Sequence, residues 1–209
     1  MSTTGNDALK RALDVAVAAL ALVLTAPVQV GVALAVLRSM GRPVLFRQVR
    51  AGMGGVPFTL VKFRTMHEPD PERGLVDNAS RLTTVGRVLR STSLDELPTL
   101  WNVLRGDLSL VGPRPLHTRY LDRYTPEQAR RHEVRPGVTG LAQVSGRNAL
   151  SWDEKFRLDV HYVDHRSFLG DLALLARTVW VVVNRSGISA PGDVAMPEFM
   201  GNAPQGEPT

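Results

Sequence analysis

From Ala12 to Leu37 the chain is almost wholly apolar, interrupted only by Asp14, Thr25, Pro27 and Gln29. No polar face interrupts the run, so it reads as membrane-embedded and not as the half-buried helix of a soluble core. Roughly 20 apolar residues span the hydrocarbon of a bilayer, so length alone permits a crossing. Two features predict otherwise. Lys10 and Arg11 precede the run, and Arg38, Arg42, Arg47 and Arg50 follow it, which places cytoplasmic-side charge at both ends. Pro27 lies near the middle, where it removes an amide donor and kinks a helix. A helix–break–helix hairpin that enters and leaves the same leaflet satisfies both features; a straight signal anchor is the alternative.

After the run the pattern shortens. Pro43 to Val49 predicts a strand, Ala51 to Gly55 a turn, and Pro57 to Phe63 a second strand of a small hairpin. Glu68 to Asn78 has no periodicity and reads as a surface loop. Helices are predicted over Arg81–Leu89, Leu94–Leu104 (stopped by Gly106) and Thr118–Glu133, with a brief strand at Leu141–Val144. Ser151 and Glu154 form a capping box for a helix carrying Phe156, Leu158, Val160 and Tyr162. Gly170 to Val183 is apolar but short for a span, so it is either a core helix or an interfacial membrane contact with Trp180 at headgroup level. The predicted class is α+β, mostly helical. Its divisions are a polar N-terminus (1–9), a re-entrant membrane helix (10–40), a small globular domain with short strands and interfacial amphipathic helices (41–190) and a tail (191–209).

The 209 residues suffice for one domain with an anchor, and the net charge of +5, rich in arginine, favours partners that carry phosphate. The absence of cysteine excludes disulfides, thiolate zinc sites and cysteine nucleophiles. The five histidines show no metal-ligand spacing, and no aromatic-and-basic interleaving suggests nucleic acid.

The candidate chemistry lies at Asp95 and Glu96, which open a helix with Arg90, Arg105 and Arg114 on either side. One reading is structural: Ser93 caps the helix, Glu96 completes a capping box, and acids in a first turn suit the helix dipole. The other is catalytic. A carboxylate can attack phosphorus to give an acyl phosphate, provided that Mg²⁺ and arginines neutralise the phosphate charge.

The same residues carry a resemblance. The ordered set Lys10-Arg11 with Asp14, Phe46-Arg47-Gln48, Lys62-Phe63-Arg64-Thr65-Met66, Thr92 to Pro98, Asn102 to Pro115, Arg135 to Gly140, Gln143 to Asn148 and Trp152 to Phe156 resembles the small monotopic phosphoglycosyl transferases of the bacterial sugar transferase family. The resemblance implies transfer of a sugar 1-phosphate from a UDP-sugar to polyprenol (undecaprenyl) phosphate with release of UMP, a first membrane step of bacterial glycoconjugate assembly. It implies Asp95 as nucleophile and Mg²⁺ contact, and Glu96 as the group that assists the incoming polyprenol phosphate. Arg90 and Arg114 would hold phosphate oxygens, with Lys62, Arg64, Arg135, Arg147 and Asn148 around the donor. The implied location is the inner membrane, on one leaflet, with the catalytic domain facing the cytoplasm; a homodimer is compatible with it. Two places depart from the family pattern: Ala26-Pro27 stands for Ser-Pro at the helix break, and Met40-Gly41-Arg42-Pro43 for Ser-Pro-Gly-Pro. The rivals are a membrane-bound scaffold without catalysis and a nucleotide-sugar hydrolase that passes the phosphosugar to water.

Overall fold

A computed structural model describes residues 3–146, 149–183 and 198–201. The apolar run forms one element, α1 (Thr3–Met40), with Pro27 inside it. It is long and apolar enough to cross a membrane. One stripe of α1 (Asp14, Ala18, Val32, Val36 and Met40) is buried, whereas Leu20, Val23, Leu24 and Val30 of its middle are exposed.

Both ends of α1 are fastened to the rest of the chain. Near its start, Arg11 donates to the carbonyls of Val103 and Leu104 at 2.6 and 3.0 Å, and Asp14 accepts from the Leu110 amide at 3.1 Å. At its end, Met40 and Val36 pack with Phe63 and Leu89, and the Met40 carbonyl accepts from Arg64 at 2.9 Å. In the middle, Thr25 Oγ1 donates to the Ala21 carbonyl at 2.6 Å and accepts from Gln29 Nε2 at 3.0 Å. Ala26 leaves no hydroxyl directly before Pro27, but Thr25 supplies one a residue earlier, and such back-bonding bends helices.

Strands β1 (Leu45–Ala51) and β2 (Pro57–Phe63) form the expected antiparallel hairpin. Its register pairs Phe46 with Lys62, Gln48 with Leu60 and Arg50 with Phe58. Directly paired residues share a face, so Gln48, Arg50, Leu60 and Lys62 lie on one side of the ribbon. Helices α2 (Asn78–Arg81) and α3 (Thr84–Thr92) follow, then a 3-10 turn at Leu94–Glu96 and α4 (Thr99–Arg105). Gly106 stops α4 in the left-handed region at φ 90°, as its position predicted.

Two short strands, β3 (Ser109–Val111) and β4 (Gly137–Thr139), pair in parallel and were not anticipated. Glycines allow this pairing. A Cβ on Gly112 would lie 2.4 Å from the Arg135 carbonyl oxygen, and one on Gly137 would lie 2.1 Å from the Gly112 nitrogen. The Gly112-Pro113-Arg114-Pro115 loop is thereby locked to the Arg135–Gly140 loop, with Gly137 N–H donating to the Pro113 carbonyl at 2.9 Å.

The segment predicted as one helix over Thr118–Glu133 is divided into a 3-10 stretch (Thr118–Arg123), α5 (Pro126–Ala129) and another 3-10 turn (Arg130–His132). The cause is Pro126, which disfavours helical backbone at Thr125 and leaves that residue to cap α5. The predicted strand Leu141–Val144 is instead the short helix α6 (Leu141–Ser145), a run too brief for periodicity to decide. Helix α7 (Trp152–His165) begins at the expected capping box, and α8 (Phe168–Val183) leaves Leu169, Leu172, Val179 and Trp180 exposed.

The main core joins Leu60, Val103, Leu108, Leu110, Val111, Val134 and Tyr162 to Ala18 of α1. The site residues on β2, the Leu94–Glu96 turn and the Arg114 loop therefore stand on a packed scaffold.

Candidate active site

Asp95 and Glu96 occupy the 3-10 turn between α3 and α4, and Ser93 sets its direction. Ser93 has φ 57° and ψ 16°, a left-handed conformation uncommon for a side-chain-bearing residue. It ends α3, and its hydroxyl makes no capping bond to the turn. The capping box read from Ser93 and Glu96 is therefore absent, and Glu96 is directed elsewhere. Its carboxylate pairs with Lys62 Nζ, and Arg114 Nη2 lies 3.6 Å from the same oxygen.

Asp95 is buried, with 9% of its surface exposed. Among the described residues no group hydrogen-bonds or ion-pairs its carboxylate. Burial, and then the Glu96 charge, push its pKa up to about 6, against the pull of Lys62, Arg90 and Arg114. Such a carboxylate is desolvated and held by no partner, yet it faces three cations.

Arg90 sits on the last turn of α3 and is oriented by Thr65, whose Oγ1 accepts from its Nε at 3.1 Å. Burial lowers its pKa and the Asp95 charge raises it, so the two groups sense each other. Arg114 is stiffened by its flanking prolines and by Arg131, which donates to the Arg114 carbonyl at 2.8 Å. Lys62 is placed by β2, and Asn102 clamps that strand. The Asn102 side chain is fully buried, accepts from the Val61 amide at 3.1 Å, and donates to the Thr59 carbonyl and Asp107 at 2.8 and 2.9 Å.

The structure thus brings together Asp95, Glu96, Lys62, Arg90 and Arg114. It places two other expected residues differently. Arg64 is buried, and its nitrogens donate to the carbonyls of Met66, Pro43 and Met40, so it fastens the end of α1 to β2. Arg135 donates to the Gly106 carbonyl at 3.1 Å and lines a different cavity, with Lys10, Arg11 and Tyr162 at the base of α1. Arg147 and Asn148 lie outside the described residues. Arg50, counted in the sequence only as a flanking charge, lines the cavity of Lys62, Glu96 and Arg114. Strand alternation was the signal that could have found it, because the hairpin register puts Arg50 on the Lys62 face.

No cluster of three or more acidic, histidine or cysteine ligands occurs among the described residues. Mg²⁺ is commonly held by one or two carboxylates together with substrate phosphates and seldom by an all-protein cage. The unpartnered Asp95 carboxylate is a donor of that kind.

This arrangement suits displacement at phosphorus by a carboxylate among cations, on a domain attached to an apolar helix. Residues 5–185 match the family described as bacterial sugar transferase. The chain is 51% identical, over 93% of its own length and 96% of the other's, to a protein of Bacillus subtilis (strain 168) named uncharacterized sugar transferase EpsL. It is 47% identical to a UDP-glucose:undecaprenyl-phosphate glucose-1-phosphate transferase of Caulobacter vibrioides (strain ATCC 19089 / CIP 103742 / CB 15), covering 83% of this chain and 69% of that one. A transferase of the same name from Escherichia coli (strain K12) is 39% identical over 84% of this chain, which spans 40% of that longer protein. The chain belongs to the bacterial sugar transferase family and is, by class, a phosphoglycosyl transferase.

Proposed function

We propose that this chain transfers a sugar 1-phosphate from a UDP-sugar to polyprenol phosphate in two displacements at phosphorus. The observation that carries the proposal is the buried Asp95 carboxylate, without a bonded partner among the described residues, facing Lys62, Arg90 and Arg114. In the first step an Asp95 oxygen bonds to the sugar-bearing phosphorus, the bond to the bridging oxygen breaks, and UMP leaves with that oxygen. In the second step a phosphate oxygen of polyprenol phosphate attacks the same phosphorus. The bond between the Asp95 oxygen and phosphorus breaks, which frees the carboxylate and yields polyprenyl diphosphate-linked sugar. Glu96, paired with Lys62 and near Arg114, would accept a proton from the acceptor phosphate or position it. Arg90 and Arg114 offset the charge that builds up on the transferred group. Mg²⁺, held by Asp95 and substrate phosphate oxygens, would supply further neutralisation.

The acceptor lies in a bilayer, and the geometry of α1 supports a re-entrant helix that stays in one leaflet. The Arg11 end and the Met40 end are both bonded to the same small domain, so both face the side of the membrane on which that domain sits. Pro27, with Thr25 and Gln29, lies at the middle of the exposed apolar stretch, where such a helix turns back. The exposed Leu169, Val179 and Trp180 of α8 suit contact with the same interface. With basic residues at both ends of the run, the domain faces the cytoplasm.

Incubation with a panel of UDP-sugars and Mg²⁺ tests the reading. UMP release in the absence of lipid, followed by transfer once polyprenol phosphate is added, is the expected result. Free sugar phosphate with or without lipid would make the protein a hydrolase, and no nucleotide release would make it a scaffold. Tags before Lys10 and after Met40 should both be accessible from the cytoplasm; labelling from opposite sides would establish a spanning anchor.

A further inference from the structure

Arg50 is held in a way that no structural role explains. Its guanidinium donates to the Gln48 side chain, but its buried Nε has no acceptor among the described residues. No carboxylate pairs with it among the described residues. Burial, and then the neighbouring Arg114 charge, pull its pKa down to about 10, so the fold makes its charged form harder to keep. The cavity it lines holds Lys62 and Arg114 as well, against Glu96 alone. Lys62 and Arg114 both approach one oxygen of Glu96, and Arg50 adds a further positive charge to the cavity. A buried donor without an acceptor is destabilising, a cost that an incoming anion would remove.

The position of Arg50 says which anion. Arg50 lines one cavity with Lys62, Glu96 and Arg114, and Glu96 directly follows Asp95 in the same turn, so the cavity adjoins the nucleophile. A diphosphate whose sugar-bearing phosphorus meets Asp95 has its second phosphorus one bridging oxygen further on, toward this adjoining cavity. We propose that Arg50 binds the nucleoside-side phosphate of the donor, the group that departs as UMP. This rests on the donor assigned above and adds a third arginine, beside Arg90 and Arg114, to its diphosphate.

The test is UMP binding, by calorimetry, to the enzyme in lipid nanodiscs with Mg²⁺. Wild type is compared with Arg50→Ala, Arg50→Lys and, as a control on the same strand, the exposed Arg47→Ala. Arg50→Ala should weaken UMP binding about 10- to 100-fold, the range for lost hydrogen bonds to a charged group. Arg50→Lys should recover part of that loss, because it keeps the charge without the fork. Arg47→Ala should leave affinity unchanged. The KM for polyprenol phosphate should be the same in all four proteins, and melting temperature should not fall, since Arg50 supports no buried pair. Unchanged UMP affinity in folded Arg50→Ala, or in Arg50→Lys and Arg50→Gln should the alanine variant not fold, would overturn the proposal. So would an effect confined to the KM for polyprenol phosphate, which would assign Arg50 to the acceptor. A wild-type enzyme that neither binds UMP nor releases it from any UDP-sugar would instead remove the donor assignment itself.

Discussion

Asp159 and Asp95 are both buried carboxylates, with 3% and 9% of their surfaces exposed, and both lie close to arginine. Asp159 accepts from Arg131 Nε at 3.0 Å and Nη2 at 2.6 Å. Its partner also reaches the Arg114 carbonyl, so this pair braces the loop that carries Arg114. Asp95 has cations around it and no hydrogen bond to any described residue. The first acid is satisfied within the fold and holds structure in place. The second makes no such bond to a described residue, which weakens the fold and leaves a carboxylate available. Pairing, more than burial or the nearness of arginine, separates the bracing acid from the one we propose as nucleophile.

Substitution should break this comparison most clearly in activity. Asp95→Asn should lower turnover by about a thousandfold or more, because an amide cannot form the acyl phosphate. UMP release in the absence of lipid measures this. Asp159→Asn should retain the covalent step in whatever fraction of the protein remains folded. Breaking a buried pair from one side costs about 3–5 kcal/mol, so Arg131→Ala should lower the denaturant midpoint sharply. Gly137→Ala should be of similar size, about 3 kcal/mol or more, because its methyl would meet the Gly112 backbone at 2.1 Å with no flexible side chain to yield.

Stability against pH sharpens the comparison. The Asp95 pKa is raised from 3.8 to about 6 by burial and Glu96, so the folded state holds its proton more tightly than the unfolded state. Stability from this group is therefore complete below about pH 4 and is lost as pH rises through about 6. Asp95→Asn removes that loss. In metal-free protein it should be more stable than wild type at pH 8, by up to about 3 kcal/mol, with the difference fading toward pH 4. Paired melts of the two proteins across this range provide the check. A smaller effect is expected at Ser93, whose left-handed backbone costs about 1–2 kcal/mol. Ser93→Gly should raise the melting temperature by a few degrees, and Ser93→Val should lower it and slow turnover by misdirecting the Asp95 turn.

Much of the site was legible in the sequence because its residues are crowded into short words. Asp95, Glu96 and Arg114 fall within twenty residues, and Lys62 sits at the end of a strand whose turn and alternation are plain. What escaped depends on pairing between distant segments. Arg50 joins Lys62 only through the hairpin register, and β3 meets β4 across the whole 112–136 stretch. Arg64 and Arg135 read as donor ligands because basic residues in a recognised word look alike. Only the fold shows Arg64 turned toward carbonyls at the end of α1 and Arg135 toward Gly106. Ser93 misled in the opposite direction. Its residue type suits a helix cap, but its backbone is left-handed, and Glu96 is released to Lys62 and Arg114. Local propensity was overridden there by the direction the turn must take.

The most direct measurement is the intact mass of the enzyme after one turnover with a UDP-sugar and Mg²⁺ in nanodiscs without polyprenol phosphate. The account predicts an added mass of one sugar phosphate, localised by peptide mapping to Asp95, chased away by polyprenol phosphate and absent from Asp95→Asn. Release of UMP only when polyprenol phosphate is present, with no adduct at any time, would mean direct transfer between substrates and would contradict it.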